Sequence, residues 1–143
     1  MLLAIDIGNT NIVLGGIEGE KTLFTERLST DTGKTDLEYA LLFDTALRIH
    51  SVDPASVSGA IIGSVVPPIN SVIQAALQKV CSVQALIVGP GINKTSMMTR
   101  SLPPFFNTFR SLWKPTLVKN ANIKHILQCA VERHLDIKPG IER

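Results

Sequence analysis

Short apolar runs separated by polar turns occupy the N-terminal part of the chain and predict β-strands. The apolar run 2–5 ends at Asp6, which is typical of a buried strand with a carboxylate at its C-terminal end. After the polar turn 8–10, strand-like residues return at 11–17. A second glycine-bearing turn precedes the partly alternating stretch 21–28, which predicts an antiparallel strand towards the edge of the sheet. The chain therefore opens with a predicted meander of three strands.

Two helices are predicted after this meander. Thr35 and Glu38 have the spacing of a capping box, so a helix is predicted over 36–49. Its predicted apolar face consists of Leu37, Ala40, Leu41 and Leu47. Apolar residues recur with a helical period from Ile69 to Val80, and Pro68 suits the first turn of that second helix.

The fully apolar segment 60–62 has a glycine on each side and predicts a buried parallel strand. The segment 84–88, which ends at the glycine-bearing turn 89–91, predicts another buried strand. The predicted order is therefore βββαβαβ, and the fold class is α/β. After residue 92 prolines interrupt the pattern, although the apolar spacing in 119–134 predicts one more helix.

Length and composition narrow the class of protein. The 143 residues suit one domain of ordinary size, and 45% hydrophobic with 18% charged residues disfavours disorder. Cys81 and Cys129 do not make a disulfide framework and are expected to be reduced thiols. Asp6 ends the first apolar run and no basic region precedes it, so no signal peptide is predicted. No apolar run approaches the length of a membrane span, and we expect a soluble cytoplasmic protein.

Charge is distributed unevenly along the chain. Residues 1–92 contain 5 basic and 9 acidic residues, a net charge of −4, whereas residues 93–143 contain 9 basic and 3 acidic residues, a net charge of +6. Aromatic residues lie among the basic ones between Phe105 and Trp113, a pattern that can bind single-stranded nucleic acid. We disfavour that interpretation, because sequence that is out of frame or poorly packed would have the same composition.

The stretch 6–11 is the candidate for chemistry. A strand would present the Asp6 carboxylate at its end, where Mg²⁺ could be held directly or through water. Gly8 is expected to let the backbone approach a ligand and to adopt a conformation barred to other residues. The side chains of 9–11 offer amide and hydroxyl groups beside backbone N–H donors that could cradle a phosphate. A plain polar hairpin is the alternative, since the stretch is neither a Walker A nor a GxGxxG motif.

Five segments stand in the order and spacing of a known family: AIDIGNTN at 4–11, RLSTD at 27–31, TDLEY at 35–39, GSVVPP at 63–68 and VGPGI at 88–92. On these segments residues 1–92 resemble the N-terminal part of type III pantothenate kinases, which belong to the acetate and sugar kinase, Hsc70 and actin superfamily. The resemblance implies that 1–92 form the N-terminal lobe of a two-lobed actin-like (ribonuclease H-like) fold, without its second lobe.

The resemblance also implies an activity, the ATP-dependent phosphorylation of pantothenate to 4′-phosphopantothenate in coenzyme A biosynthesis. It implies Mg²⁺, a monovalent cation such as K⁺ or NH₄⁺, and a homodimer. Asp6 would organise the Mg²⁺. The family's first phosphate loop maps onto Asp6, Ile7, Gly8, Asn9, Thr10, Asn11, Ile12 and Val13.

The sequence departs from the family after the first two-thirds of the chain. The family's Gly-Ala-Asp-Arg motif, whose Asp is the general base, and its later Asp-Phe-Gly-Thr motif do not occur in these 143 residues. We therefore assign no catalytic residue and interpret 93–143 as a divergent basic tail that is either frameshifted or poorly ordered. A frameshift near 93–96 would explain the departure, and a true replacement of the C-terminal segment is the alternative. The function is then either that of an incomplete kinase or that of a non-catalytic, nucleotide-binding or regulatory relative.

Overall fold

Alternating strands and helices follow the order that the sequence predicts. The structure is a computed structural model that describes residues 1–19 and 21–88. Its elements are β1 (Leu2–Ile7), β2 (Asn11–Glu18), β3 (Lys21–Ser29), α1 (Asp36–Ile49), β4 (Gly59–Ser64), α2 (Asn70–Cys81) and β5 (Leu86–Val88). The α/β class and the order βββαβαβ are confirmed.

All five described strands join one sheet in the order β3-β2-β1-β4-β5. The meander β1-β2-β3 is antiparallel. Strand β4 pairs with β1 in parallel, as predicted, and β5 pairs with β4 in parallel. Because β1, β4 and β5 are parallel, their C-terminal ends meet at one edge of the sheet. At this edge Asp6 of β1 stands between Val13 of β2 and Gly63 of β4.

Helix α1 begins and ends at the predicted residues because its start is capped. The Thr35 hydroxyl accepts a hydrogen bond from the Glu38 N–H (3.3 Å), and the Thr35 N–H donates to the Glu38 carboxylate (2.7 Å). This reciprocal capping satisfies N–H groups that have no partner within the helix.

The predicted apolar face of α1 is partly wrong. Leu37 and Leu41 are 57% and 60% exposed. The face that packs on the sheet is rotated from the predicted one and buries the two aromatic rings of the helix, which remove more apolar area from water than the leucines would. The buried residues of α1 are Tyr39, Ala40, Phe43, Ala46 and Leu47.

The main hydrophobic core lies between one face of the sheet and the two helices. Alternate residues of β1, namely Leu3, Ile5 and Ile7, belong to this core, so that Asp6 lies on the opposite face. The predicted period of α2 is confirmed, and Ile73 is one of its fully buried members. A single 3₁₀ turn, Pro67–Ile69, precedes α2 and accommodates the two prolines.

Several sequence predictions lie outside the described residues. They are the turn 89–91, the boundary at residue 92, the basic segment 93–143 and the helix predicted over 119–134. Of the helices in the described ranges, none is long and apolar enough to cross a membrane.

Candidate functional site

A tight turn joins the end of β1 to the start of β2 at the candidate site. The Gly8 N–H donates a hydrogen bond to the Asn11 carbonyl (2.9 Å), which closes the turn. Asn9 and Thr10 are exposed at its tip, whereas Gly8 and Asn11 are half-buried at its base. The polar residues of the predicted stretch are thus brought together at one end of the sheet.

The expected reason for glycine at position 8 is wrong in one respect. Among the described glycines the one in the left-handed region is Gly19, with φ of 57°. At Gly8 the constraint is steric, since a Cβ atom there would lie 3.1 Å from the Asn11 carbonyl oxygen. The Gly8 N–H holds that carbonyl close, so the turn leaves little room for a side chain.

Thr30, the residue after β3, holds the turn at two points. Its hydroxyl donates a hydrogen bond to the Gly8 carbonyl (2.7 Å), and its N–H donates to the Thr10 carbonyl (2.9 Å). The β2–β3 register explains this position, because Asn11 pairs with Ser29 and the next residue therefore reaches the turn. The sequence analysis did not predict this role of Thr30. The signal that could have indicated it is the antiparallel pairing of β2 with β3, which places the end of β3 beside the start of β2.

Tyr39 of α1 fixes the residue that follows Thr30. Its phenol accepts a hydrogen bond from the Asp31 N–H (2.9 Å) and donates one to the Asp31 carbonyl (2.8 Å). Tyr39 is 0% exposed, so this clamp is anchored in the core. The exposed Asp31 carboxylate bonds the Lys34 ammonium (2.8 Å), which lowers the pKa of Asp31, and the Gly33 N–H lowers it further.

Asp6 lies half-buried beside the turn, on the sheet face opposite the helices. Its neighbour on β4 is Gly63, which has no side chain, so the β4 side of Asp6 is not filled by its cross-strand neighbour. The end of β4 is held against β1 because the Val65 N–H donates to the Ile7 carbonyl (3.0 Å). Ligands of open α/β sheets bind in crevices outside the carboxyl ends of the strands, which is the position of this turn.

Comparison with known proteins identifies the family. The family model for type III pantothenate kinase matches residues 2–103. The chain belongs to the type III pantothenate kinase family. A relative from Bifidobacterium animalis subsp. lactis is 41% identical over 104 residues, which are 73% of this chain and 41% of the relative. One from Brevibacillus brevis is 47% identical over 92 residues, 64% of this chain and 36% of the relative.

This pantothenate kinase family chain thus spans about two-fifths of the length of the curated relatives it matches. Among solved structures it is similar to the ROK hexokinase from Thermus thermophilus, with a TM-score of 0.48 and 16% identity, covering 62% of this chain and 33% of that one. At that level the likeness carries no argument about function.

The residues 6–13, which the sequence predicts to be a phosphate loop, include two kinds of residue. The side chains of Ile7, Ile12 and Val13 are 0%, 0% and 5% exposed, so these residues can meet a ligand only through their main chain. Gly8 and the polar residues 9–11 form the accessible part.

A magnesium ion is compatible with this arrangement. Within residues 1–19 and 21–88 no three His, Cys, Asp or Glu side chains gather into a metal-binding group. Mg²⁺ bound with nucleotide needs no such group, because it usually takes one or two carboxylates together with substrate phosphates and water. The half-buried carboxylate of Asp6 beside an exposed turn fits that chemistry.

Proposed function

We propose that the turn between β1 and β2 binds the phosphates of ATP, and that the chain thereby serves the phosphorylation of pantothenate to 4′-phosphopantothenate in coenzyme A biosynthesis. The observation that carries the proposal is the turn itself. Its polar tip is exposed, its base is closed by the Gly8–Asn11 hydrogen bond, and Asp6 stands beside it in a chain of the pantothenate kinase family. Phosphoryl transfer depends mainly on such positioning and on charge neutralisation.

Each residue of the loop has a proposed role. Asp6 would hold Mg²⁺, which supplies positive charge against the phosphate oxygens when it is bound. Gly8 keeps the turn free of a side chain, and the groups of 9–11 would donate hydrogen bonds to the phosphates. Ile7, Ile12 and Val13 would take part through their backbone alone, because their side chains are buried.

Further proposals follow from the family for the whole protein. We propose a cytoplasmic homodimer that uses a monovalent cation, K⁺ or NH₄⁺, in addition to Mg²⁺. Residues 1–92 would form one lobe, and 93–143 would be a separate basic segment that arises from a frameshift or a replacement. Sequencing the DNA from codon 92 onwards tests the frameshift, since alternative frames that encode no Gly-Ala-Asp-Arg downstream would contradict it.

A non-catalytic nucleotide-binding role is the second candidate function. It is favoured by the absence of the Gly-Ala-Asp-Arg motif from these 143 residues. A general base must lie within hydrogen-bond reach of the proton it removes, and we assign that role to none of the described residues.

Titration of the full chain with Mg·ATP tests the proposed site. Asp6→Asn should raise the Kd about tenfold or more, since a hydrogen bond or contact to a charged group contributes about 1.5–3 kcal/mol. Asp44→Asn is the matched control, because it removes the same charge from an ion pair with Arg48 on α1. An Asp6→Asn variant that binds as tightly as the unaltered chain would remove the phosphate-loop assignment.

A product assay then separates the two functions. The full chain is incubated with Mg·ATP and pantothenate, and 4′-phosphopantothenate is measured. Product above background supports the kinase, whereas ATP binding without product supports the non-catalytic alternative. A chain that neither binds ATP nor forms product contradicts both.

A further inference from the structure

A chain of hydrogen bonds connects the helical core to the candidate turn. Tyr39, buried in α1, bonds both the N–H and the carbonyl of Asp31. The preceding residue, Thr30, then bonds the carbonyls of Gly8 and Thr10. The turn is therefore oriented from outside its own sequence, by the segment that leads from β3 to α1.

The direction of these bonds fixes two peptide planes. In a trans peptide the carbonyl of one residue and the N–H of the next point in opposite directions. The carbonyls of Gly8 and Thr10 are held towards Thr30. The N–H groups of Asn9 and Asn11, which share those two peptide planes, must consequently point away from Thr30.

We propose that Thr30 is a positioning residue that aims the Asn9 and Asn11 N–H groups at a nucleotide phosphate, and that Tyr39 holds it in place. The inference rests on the proposed function of the turn. An anion site made of backbone N–H groups works only when those groups converge, which a freely rotating glycine turn does not guarantee. Thr30 restricts that rotation without touching the ligand.

Two substitutions at Thr30 distinguish the role of its hydroxyl group from the role of its side-chain shape. Thr30→Val keeps the branched shape and the backbone N–H but loses the bond to the Gly8 carbonyl. Thr30→Ser keeps the hydroxyl. We expect Thr30→Val to raise the Kd for Mg·ATP about three- to tenfold, the equivalent of one neutral hydrogen bond, and Thr30→Ser to stay within about twofold of the unaltered chain.

A second measurement needs no ligand. Amide hydrogen exchange of Gly8 reports the closure of the turn, because its N–H bonds the Asn11 carbonyl. Thr30→Val should speed that exchange, and Thr30→Ser should leave it nearly unchanged. Tyr39→Phe, which removes the clamp on Asp31, should speed it in the same direction.

The two measurements distinguish failure of this inference from failure of the proposed function. Weaker ATP binding and faster Gly8 exchange in Thr30→Val, both recovered in Thr30→Ser, support the positioning role. Unchanged Gly8 exchange in Thr30→Val overturns the positioning role, whether or not the chain binds ATP. If the unaltered chain binds ATP, an unchanged ATP affinity in Thr30→Val also overturns it. If the unaltered chain binds no ATP, the proposed function fails, and faster exchange in Thr30→Val still supports the orientation of the turn by Thr30.

Discussion

Gly16 of β2 is the position at which one added methyl group should disturb the sheet most clearly. It pairs with Phe24 on β3, and a Cβ atom on Gly16 would lie 2.3 Å from Cε1 and 2.8 Å from Cδ1 of the phenylalanine ring. Phe24 is 5% exposed and stacks on His50 with 4.6 Å between ring centroids. His50 in turn bonds the Glu26 carboxylate at 2.7 Å. The ring that Gly16 faces is therefore held by a stacked partner.

The size of the effect follows from these contacts. Carbon atoms pack best at about 3.5–4.0 Å, so the Phe24 ring or the strand would have to shift by about 1.2 Å or more in Gly16→Ala. Such overpacking costs about 1–3 kcal/mol of unfolding free energy in a well-packed core. With a urea dependence of about 1–3 kcal/mol per molar for a small protein, the unfolding midpoint should fall by about 1 M.

Urea unfolding of the full chain, followed by circular dichroism, measures this shift. Gly33→Ala is the matched control, because Gly33 is exposed and its added Cβ would approach only the end of the Asp31 side chain, at 3.3 Å. We expect the control to stay within about 0.5 kcal/mol of the unaltered chain. A Gly16→Ala midpoint equal to that of the control would refute the steric reasoning.

A double-mutant cycle assigns the cost to the ring. Phe24→Leu removes Cε1, the ring atom that the new Cβ would approach most closely, although it destabilises the sheet on its own by leaving a cavity. The penalty of Gly16→Ala should then be smaller in the Phe24→Leu background by about 0.5 kcal/mol or more, the coupling expected of residues in contact. Equal penalties in both backgrounds would mean that the strain lies elsewhere.

Two further predictions concern the helices. Burial raises the pKa of Cys81 to about 11. In a variant with Cys129 replaced by serine, Cys81 of the folded chain should react with iodoacetamide at pH 8 about a hundredfold more slowly than in the urea-unfolded chain. Equal rates in the two states would contradict the burial of Cys81. Thr35→Ala should cost about 1 kcal/mol in urea unfolding, against a Thr32→Ala control. Hydrogen bonds from the Thr35 N–H and hydroxyl lower the pKa of Glu38. The capping box should therefore stabilise the chain fully at a pH above the ordinary pKa of glutamate. This stabilisation should be lost as the pH falls through the lowered pKa of Glu38.

Local patterns were sufficient to predict the elements but not the face that a helix buries. The capping box set the start of α1, and the apolar period set α2, because both signals act within a few residues. Leu37 and Leu41 were placed on the wrong side because leucines and aromatic rings compete for the same sheet. That competition is decided by tertiary packing, in which Tyr39 and Phe43 are both 0% exposed. Strand β5 is also shorter than predicted, since it begins at Leu86.

The candidate site could also be predicted only in part, because only some of its contacts are local in sequence. Gly-Asn-Thr after an apolar run is a local turn signal, and it located the turn. The roles of Thr30 and Tyr39 could not be predicted from spacing, because their bonds span 22 residues to Gly8 and 8 residues to Asp31. Such contacts depend on the register of β3 and on the packing of α1, neither of which periodicity determines.

The contacts that hold the turn bear on nucleotide binding and not on the catalytic step. Every contact that we found to hold the turn comes from β1, β2, the end of β3, α1 or the end of β4. The orientation of the turn therefore depends on the described residues, and it can be tested by amide hydrogen exchange and by ATP affinity. Phosphoryl transfer to a hydroxyl group would need a general base, a role that we assign to none of these residues. Nucleotide binding with no turnover would accordingly be consistent with the geometry of the turn.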